Sequence, residues 1–316
     1  MDEQKTIALP SISVVVPVYN SEQTLPALIE RIVPVLKRCA KEFEILLVND
    51  GSRDASGTVS AGLAKENPCV RAISLMRNYG QHNALLAGVR TAKYPVIVTI
   101  DDDLQNPPEE IPKLLAKLTE GSDVAYGVPQ NEQHGLLRDL ASQITKFTLQ
   151  NAMGAETARN ISAFRAFRTQ LRDAFCDYRG SFVSIDVLLT WGTTRFSGVL
   201  VQHSPRAAGV SNYTVRKLMI HALNMMTGFS SLPLQIASMV GFAFTIVGFL
   251  ILMFVLVRYF VESSVPGFPF LASIIAVFSG AQLFALGIIG EYLARVHFRV
   301  MDKPAYTVRE SSDSPI

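Results

Sequence analysis

Two stretches near the C-terminus, Leu232 to Val257 and Ser263 to Gly290, contain no Asp, Glu, Lys or Arg. Each exceeds the roughly 20 residues that a helix needs to cross a bilayer. Only Arg258-Tyr-Phe-Val-Glu262 separates them, and Pro266 and Pro269 follow that break. The pattern predicts a two-helix transmembrane hairpin, about 232–257 and 264–290, with both ends on one side of the membrane. Basic residues flank it at Arg216, Lys217, Arg295, Arg299 and Lys303, against Arg258 alone in the connection. The positive-inside rule then places both termini in the cytoplasm, at the inner membrane of a cell. The alternative, two buried core helices, fits these lengths poorly.

The rest of the chain narrows the functional classes. Met1 to Pro10 carries acids and precedes a short apolar run, so no signal peptide is expected. Cys39, Cys69 and Cys176 lack metal-ligand spacing and cannot make a disulfide framework. Residues 136–230 hold 11 Lys/Arg against 5 Asp/Glu, and this basic segment leads into the hairpin. Anionic head groups favour such charge. No zinc finger, RNA-binding signature or basic helix supports nucleic-acid binding. Leu218, Ala222, Met225, Met226 and Phe229 form an apolar stripe opposite Arg216, Lys217 and Asn224, which predicts an interfacial amphipathic helix over 213–230. A weaker stripe over 142–153 is explained equally well by core packing.

Residues 1–212 read as alternating strands and helices. Ile12–Val18, Phe43–Val48, Val70–Leu75, Val96–Ile100 and Val124–Gly127 are apolar, β-branched runs bounded by turn residues. Helices are expected at about 24–39, with Leu25, Leu28, Ile32, Val35 and Leu36 on one face, and at 83–92. Strands alternating with helices give a Rossmann-like, mostly parallel sheet, whose ligand site lies at the C-terminal strand ends.

The fourth run ends in Asp101-Asp102-Asp103, followed by Leu104-Gln105-Asn106-Pro107-Pro108. Alternate residues of an extended chain share a face, so Asp101 and Asp103 can converge on one hard cation while Asp102 points away. Oxygen-only ligands suit Mg²⁺ or Mn²⁺, which commonly also hold substrate phosphates. A polar turn capping the next helix is the simpler alternative.

Four strand-end motifs occur in order: Pro17-Val-Tyr-Asn20, Val48-Asn-Asp-Gly-Ser52, Arg77-Asn-Tyr-Gly-Gln-His82 and Asp101-Asp-Asp-Leu-Gln-Asn-Pro-Pro-Glu-Glu110. With the hairpin ending Gly287-Ile-Ile-Gly-Glu-Tyr-Leu-Ala-Arg295, the set resembles family 2 glycosyltransferases of the GT-A fold. More narrowly it resembles the polyprenyl-phosphate glycosyltransferases, which include dolichyl-phosphate mannose synthases and bactoprenol glucosyltransferases. The wording is especially similar to the undecaprenyl-phosphate 4-deoxy-4-formamido-L-arabinose transferases.

The resemblance implies inverting transfer of a sugar from a nucleotide diphosphate sugar, UDP or GDP, to a polyprenyl phosphate, yielding a lipid-linked sugar for the cell envelope. It places Pro17, Tyr19 and Asn20 in the base pocket and makes Asp50 an acceptor for base or ribose. Asp101 and Asp103, with Gln105 beside them, would hold the metal on the donor diphosphate. Arg165, Arg168 and Arg206 match family arginines that meet donor or lipid phosphates, for which the planar guanidinium fork is suited. Taken singly, each arginine could equally be a surface salt bridge or a membrane anchor. Homo-oligomers occur among relatives.

Several positions depart from the family pattern. Glu22, kept among the donor-side candidates, stands one place later than the usual glutamate. Asp102, also kept there, replaces a small residue, and Ala163 replaces an acid found two residues before the matched arginine. Asn212 stands where the family has a lysine. A phosphate acceptor tolerates loss of a base, because its second pKa is about 6 and it is already anionic at neutral pH. Rival readings fare worse. The chain lacks the Gln-x-x-Arg-Trp of processive synthases, Trp191 being its only Trp. The Asp-Asp-x-x-Asp of prenyltransferases has Gln105 at its fifth place. A transporter subunit would favour ionisable residues within the spans, and neither span has one.

Overall fold

The fully buried, uncharged run Ile12–Val18 forms strand β1 near the middle of an eight-stranded sheet. The computed structural model describes residues 10–129, 161–180, 183–204, 232–262 and 267–312. Strands β2 (Phe43–Asn49), β3 (Val70–Leu75), β4 (Val96–Thr99), β5 (Val124–Pro129), β6 (Arg165–Arg168), β7 (Phe196–Val201) and β8 (Val308–Ser311) complete the sheet. Their spatial order is β7-β5-β6-β4-β1-β2-β3-β8.

Pairings β1–β2, β1–β4, β2–β3 and β5–β7 are parallel, as the alternation of strands and helices predicts. Three pairings are antiparallel: β4–β6, β5–β6 and β3–β8. Register brings several loops to the same end of the sheet. Val18 is level with Asn49, and Val15 is level with Thr99, so the loops after β1, β2 and β4 emerge along one edge.

Helix α1 (Leu25–Cys39) has Pro26 in its first turn, where no N–H is missed. It buries Leu25, Leu28, Ile29, Ile32, Val35 and Leu36. Together with α4 (Ile111–Thr119), it covers one sheet face in a core that includes Val14, Val16, Ile45 and Leu47. Helix α2 (Ser56–Glu66) follows β2. Helix α3 (Gln81–Thr91) lies on the other face, and a Cβ on Gly88 would come within 2.3 Å of Val15. A short helix α5 (Ile185–Thr190) precedes β7.

The chain divides into two compact units, Met1–Leu218 with Asp302–Ile316, and Met219–Met301. The second contains α6 (Leu232–Glu262) and α7 (Phe268–Val300), each long and apolar enough to cross a membrane. They meet where the rings of Phe244 and Phe278 lie edge to face at 5.7 Å and Gly248 admits Phe278. Phe242, Phe249, Leu250 and Leu283 project outward, a large apolar surface that water would not tolerate.

Two details differ from the sequence expectations. The tail after the hairpin, grouped with it over 231–316, instead enters the sheet as β8, because β3 otherwise leaves a row of unpaired backbone groups. Helix α3 starts at Gln81 rather than at Asn83. The expected interfacial helix over 213–230, the 142–153 stripe, Arg206 and Asn212 lie outside the described residues.

Candidate active site

The loops after β1 and β2 are joined side to side by hydrogen bonds. Asn20 takes a left-handed φ of 55°, which Asn tolerates better than most residues. Its N–H donates to Ser52 Oγ (3.1 Å), and its Oδ1 accepts from Arg53 N (2.9 Å). Ser21 N donates to Ser56 Oγ (2.7 Å), and Glu22 N to Asp54 Oδ2 (3.3 Å). Glu22 Oε2 accepts from Ala55 N (2.8 Å) at the start of α2, where a carboxylate also meets the helix dipole. In this arrangement Asn20 and Glu22, both expected on the donor, use side-chain oxygens to hold one loop against the other. Pro17 is buried within β1, whereas Tyr19 remains exposed at the edge.

Asp50 is buried, and both its oxygens accept backbone N–H groups, from Tyr79 (2.7 Å) and Gly80 (2.8 Å). Burial raises its pKa, opposed by those two bonds and by the nearby Arg77. Asp50 therefore anchors the β3–α3 loop; contact with a base or ribose would have to use its remaining lone pairs. Gly51 is required beside it. Its φ is +61°, and an added Cβ would lie 2.5 Å from backbone atoms of Arg77 and Asn78.

The three aspartates take different directions. Asp101 Oδ1 accepts from Gln81 Nε2 (2.7 Å) at the first turn of α3. Burial, then the charges of Asp103 and Asp102, push the Asp101 carboxyl up to about 7, against the pull of Arg165 and Gln81. Asp102 turns back to the β1 loop, accepting from Tyr19 N (3.1 Å) and from Ser21 Oγ. Asp103 Oδ1 accepts from Gln105 N (3.1 Å) across Leu104, whose φ is +61°. Among the described residues no cluster of three or more His, Cys, Asp or Glu forms a complete protein cage for a metal. A magnesium-type ion needs only one or two carboxylates when substrate phosphates supply the rest. Asp101 and Asp103 fit that donor set, and the crowding that drives Asp101 toward neutrality is what a cation would relieve.

Of the three arginines, Arg165 and Arg168 lie within the described residues. Arg165 is 1% exposed, and its guanidinium faces Asp186, Thr99 Oγ1 (3.1 Å) and the Ala163 carbonyl (3.5 Å). Its Nε and Nη1 are engaged inside the protein, and its charge also acts on Asp101. Tyr126 also bonds Asp186 (3.0 Å), and burial followed by that carboxylate raises its phenol well above the ordinary value. Arg168 is level with Val96, at the opposite end of β4 from Asp101. It donates to Asp123 (3.3 Å) and to the Leu118 carbonyl (3.0 Å), so the salt-bridge alternative describes it. The Gln105 carbonyl accepts from Ser204 N (2.8 Å), which brings the segment leading to Arg206 to the acidic loop.

Sequence reading missed Ser21, Gln81, Tyr126 and Asp186. Gln81 lay inside a quoted motif, and Asp186 carried a signal as the one acid among Val183, Ile185, Val187, Leu188 and Leu189. His82 is structural, its Nδ1 accepting from Ile185 N (3.3 Å).

Comparison with known proteins places the chain in a family and matches its fold. Residues 13–175 match the family described as glycosyl transferase family 2. The undecaprenyl-phosphate 4-deoxy-4-formamido-L-arabinose transferase of Serratia proteamaculans is 35% identical over 308 residues, covering 96% of this chain and 94% of that protein. The enzyme of that name from Proteus mirabilis is 36% identical, over 95% and 93%. Among solved structures, glucosyl-3-phosphoglycerate synthase from Mycobacterium tuberculosis, in complex with Mn²⁺, UDP-glucose and phosphoglyceric acid, has a TM-score of 0.53 and 19% identity, over 69% of this chain and 78% of that one. Mannosyl-3-phosphoglycerate synthase from Rubrobacter xylanophilus has a TM-score of 0.50 and 20% identity, over 68% and 72%. These likenesses carry the GT-A fold. The family match and the length of the curated relatives carry more: the chain is a glycosyltransferase and belongs to glycosyl transferase family 2.

Proposed function

We propose that this glycosyltransferase moves a sugar, with inversion, from a UDP- or GDP-sugar to a polyprenyl phosphate at the cytoplasmic face of the inner membrane. The observation that carries the reading is Asp101 and Asp103 at the sheet edge where the β1, β2 and β4 loops meet, in a chain that also holds two helices of membrane-spanning length. The curated relatives, named for transfer to undecaprenyl phosphate, support the acceptor class, since the alignment covers 96% of the chain. The formamido-arabinose of their names is the first sugar to test.

Asp101 and Asp103 would hold Mg²⁺ or Mn²⁺ on the donor diphosphate. Held there, a cation would supply neutralisation of the charge on the leaving nucleoside diphosphate. The chain's own residues prepare the place. Gln81 orients Asp101, the buried Arg165 offsets its charge, and Asp102 fixes Tyr19 and Ser21. An acceptor phosphate oxygen attacks the anomeric carbon as the bond to the diphosphate breaks. No proton moves, which suits a site whose position 163 is an alanine with its carbonyl bonded to Thr99 Oγ1 (2.6 Å).

The test incubates the purified protein with undecaprenyl phosphate and a panel of nucleotide sugars, reading the lipid by mass spectrometry. One glycosylated phospholipid is expected, lost in EDTA and restored by Mg²⁺ or Mn²⁺. Asp103→Asn should lower turnover about 100-fold or more, corresponding to several kcal/mol of lost charge stabilisation. Dephosphorylated polyprenol should not react. Transfer to polyprenol, or full activity of Asp103→Asn, would refute the reading.

A further inference from the structure

The chain returns from α7 and runs along the open edge of β3, and there it touches the donor side of the site. Thr307 O accepts from Met76 N (2.9 Å), and Arg309 Nη2 donates to Met76 O (3.0 Å). Both backbone groups of Met76, the residue that follows β3, are thus held by the tail. The Tyr79 phenol lies beside Thr307, and that neighbour, with Arg77, draws it below its ordinary range. Strand β8 secures the segment, with Ser74 level with Glu310 and Ile73 with Ser311. Ala305 is buried, and Arg90 lies over the Tyr306 ring at 5.8 Å.

The held loop leads directly to the reacting end. Arg77 covers the Tyr79 ring at 4.4 Å, Tyr79 N and Gly80 N donate to Asp50, and Gln81 donates to Asp101. The contacts from Thr307 to Asp101 are therefore continuous through six residues of backbone, Met76 to Gln81. Among the described residues β8 is the one strand that flanks this side of β3, and the tail shares the loop with Asp50, Gly51 and Asn83, whose Nδ2 donates to the Tyr79 carbonyl (2.6 Å).

We propose that Thr307 and Arg309 are positioning residues for donor binding: by holding Met76 and Tyr79 they set the loop that presents Asp50 and Gln81. Occupancy of the nucleotide site then depends on the segment that follows the second apolar helix. The inference rests on the reading that this edge binds a nucleotide diphosphate sugar.

The experiment uses the full chain in nanodiscs, with Thr307→Val, Thr307→Ser, Arg309→Ala and Arg309→Lys. Thr307→Val and Arg309→Ala should each raise the donor KM about 3- to 10-fold, the effect of one lost hydrogen bond. The KM for polyprenyl phosphate and kcat at saturating donor should stay within about twofold. Ser and Lys should restore the donor KM, since a hydroxyl or a single N–H suffices. Calorimetry with Mn²⁺ and UDP or GDP should show the same ratio in Kd, independent of any acceptor. A fall in melting temperature with unchanged KM and Kd would reduce the tail to a stabilising strand and overturn the proposal. If nucleotide binds with the expected ratios but no lipid is glycosylated, the acceptor reading fails and the positioning role stands. Wild-type protein that binds neither nucleotide overturns both.

Discussion

Arg165 carries its charge into the interior of the sheet rather than to its surface. Buried against Asp186 and Tyr126, it is a fixed positive charge behind Asp101. Removing one member of a buried pair leaves the other charge uncompensated, at about 3–5 kcal/mol. Asp186→Ala should lose that much stability, read by denaturant unfolding with Trp191, the only Trp, as the fluorophore. Asp123 is a milder case on the far side of the sheet. Burial pushes its carboxyl up, but bonds from Thr193 (2.6 Å) and Arg195 (2.9 Å) and the Arg168 charge outweigh it, and the pKa is lowered. A depressed carboxylate stabilises the fold above the unfolded value of about 3.9 and loses that contribution as pH falls through the lower folded value. Asp123→Asn should therefore flatten the acid limb of the stability profile below about pH 4, measured as the denaturation midpoint against pH.

Loops make the site, and the elements bring them to one edge. The β2–α2 turn can approach Arg77 and Asn78 only because Gly51 has no Cβ. Gly51→Ala combines a left-handed φ with a clash against rigid backbone, so it should cost about 1–3 kcal/mol or more and weaken nucleotide binding with it. Gly62 offers the control within α2, where a Cβ meets nothing within 4 Å. There Ala should be neutral or stabilise by up to about 1 kcal/mol. Equal effects of the two substitutions on nucleotide Kd would refute the role given to the turn. The loops were legible as motifs in the sequence, but their mutual bonds were not. Asn20 and Glu22 stand where the resemblance places donor contacts, and their bonds to the Arg53 and Ala55 N–H groups became visible only in the fold.

Strands β7 and β8 precede and follow the apolar helices, yet both belong to one sheet. A chain that leaves a sheet and rejoins it must cross a membrane an even number of times, as a two-span hairpin does. On the proposed orientation, which puts the sheet in the cytoplasm, a cysteine at Ser264, in the connection, should react with an impermeant thiol reagent on intact cells. The native Cys176, exposed on the sheet-bearing unit, should react only after lysis. Labelling of Cys176 in intact cells would reverse the orientation and separate the site from cytoplasmic nucleotide sugars.

Local pattern alone determined the apolar spans, the strand–helix alternation and the aspartate tract, because periodicity and charge exclusion act over a few neighbouring residues. It also carried the family motifs. Tertiary structure decided which partner each polar group found. Asp102 met Ser21 across 81 residues, Arg165 met Asp186, Arg168 met Asp123 away from the site, and the tail met β3. Such choices follow from the need to satisfy every buried charge and backbone group at once, and that requirement can be met only after the chain has folded.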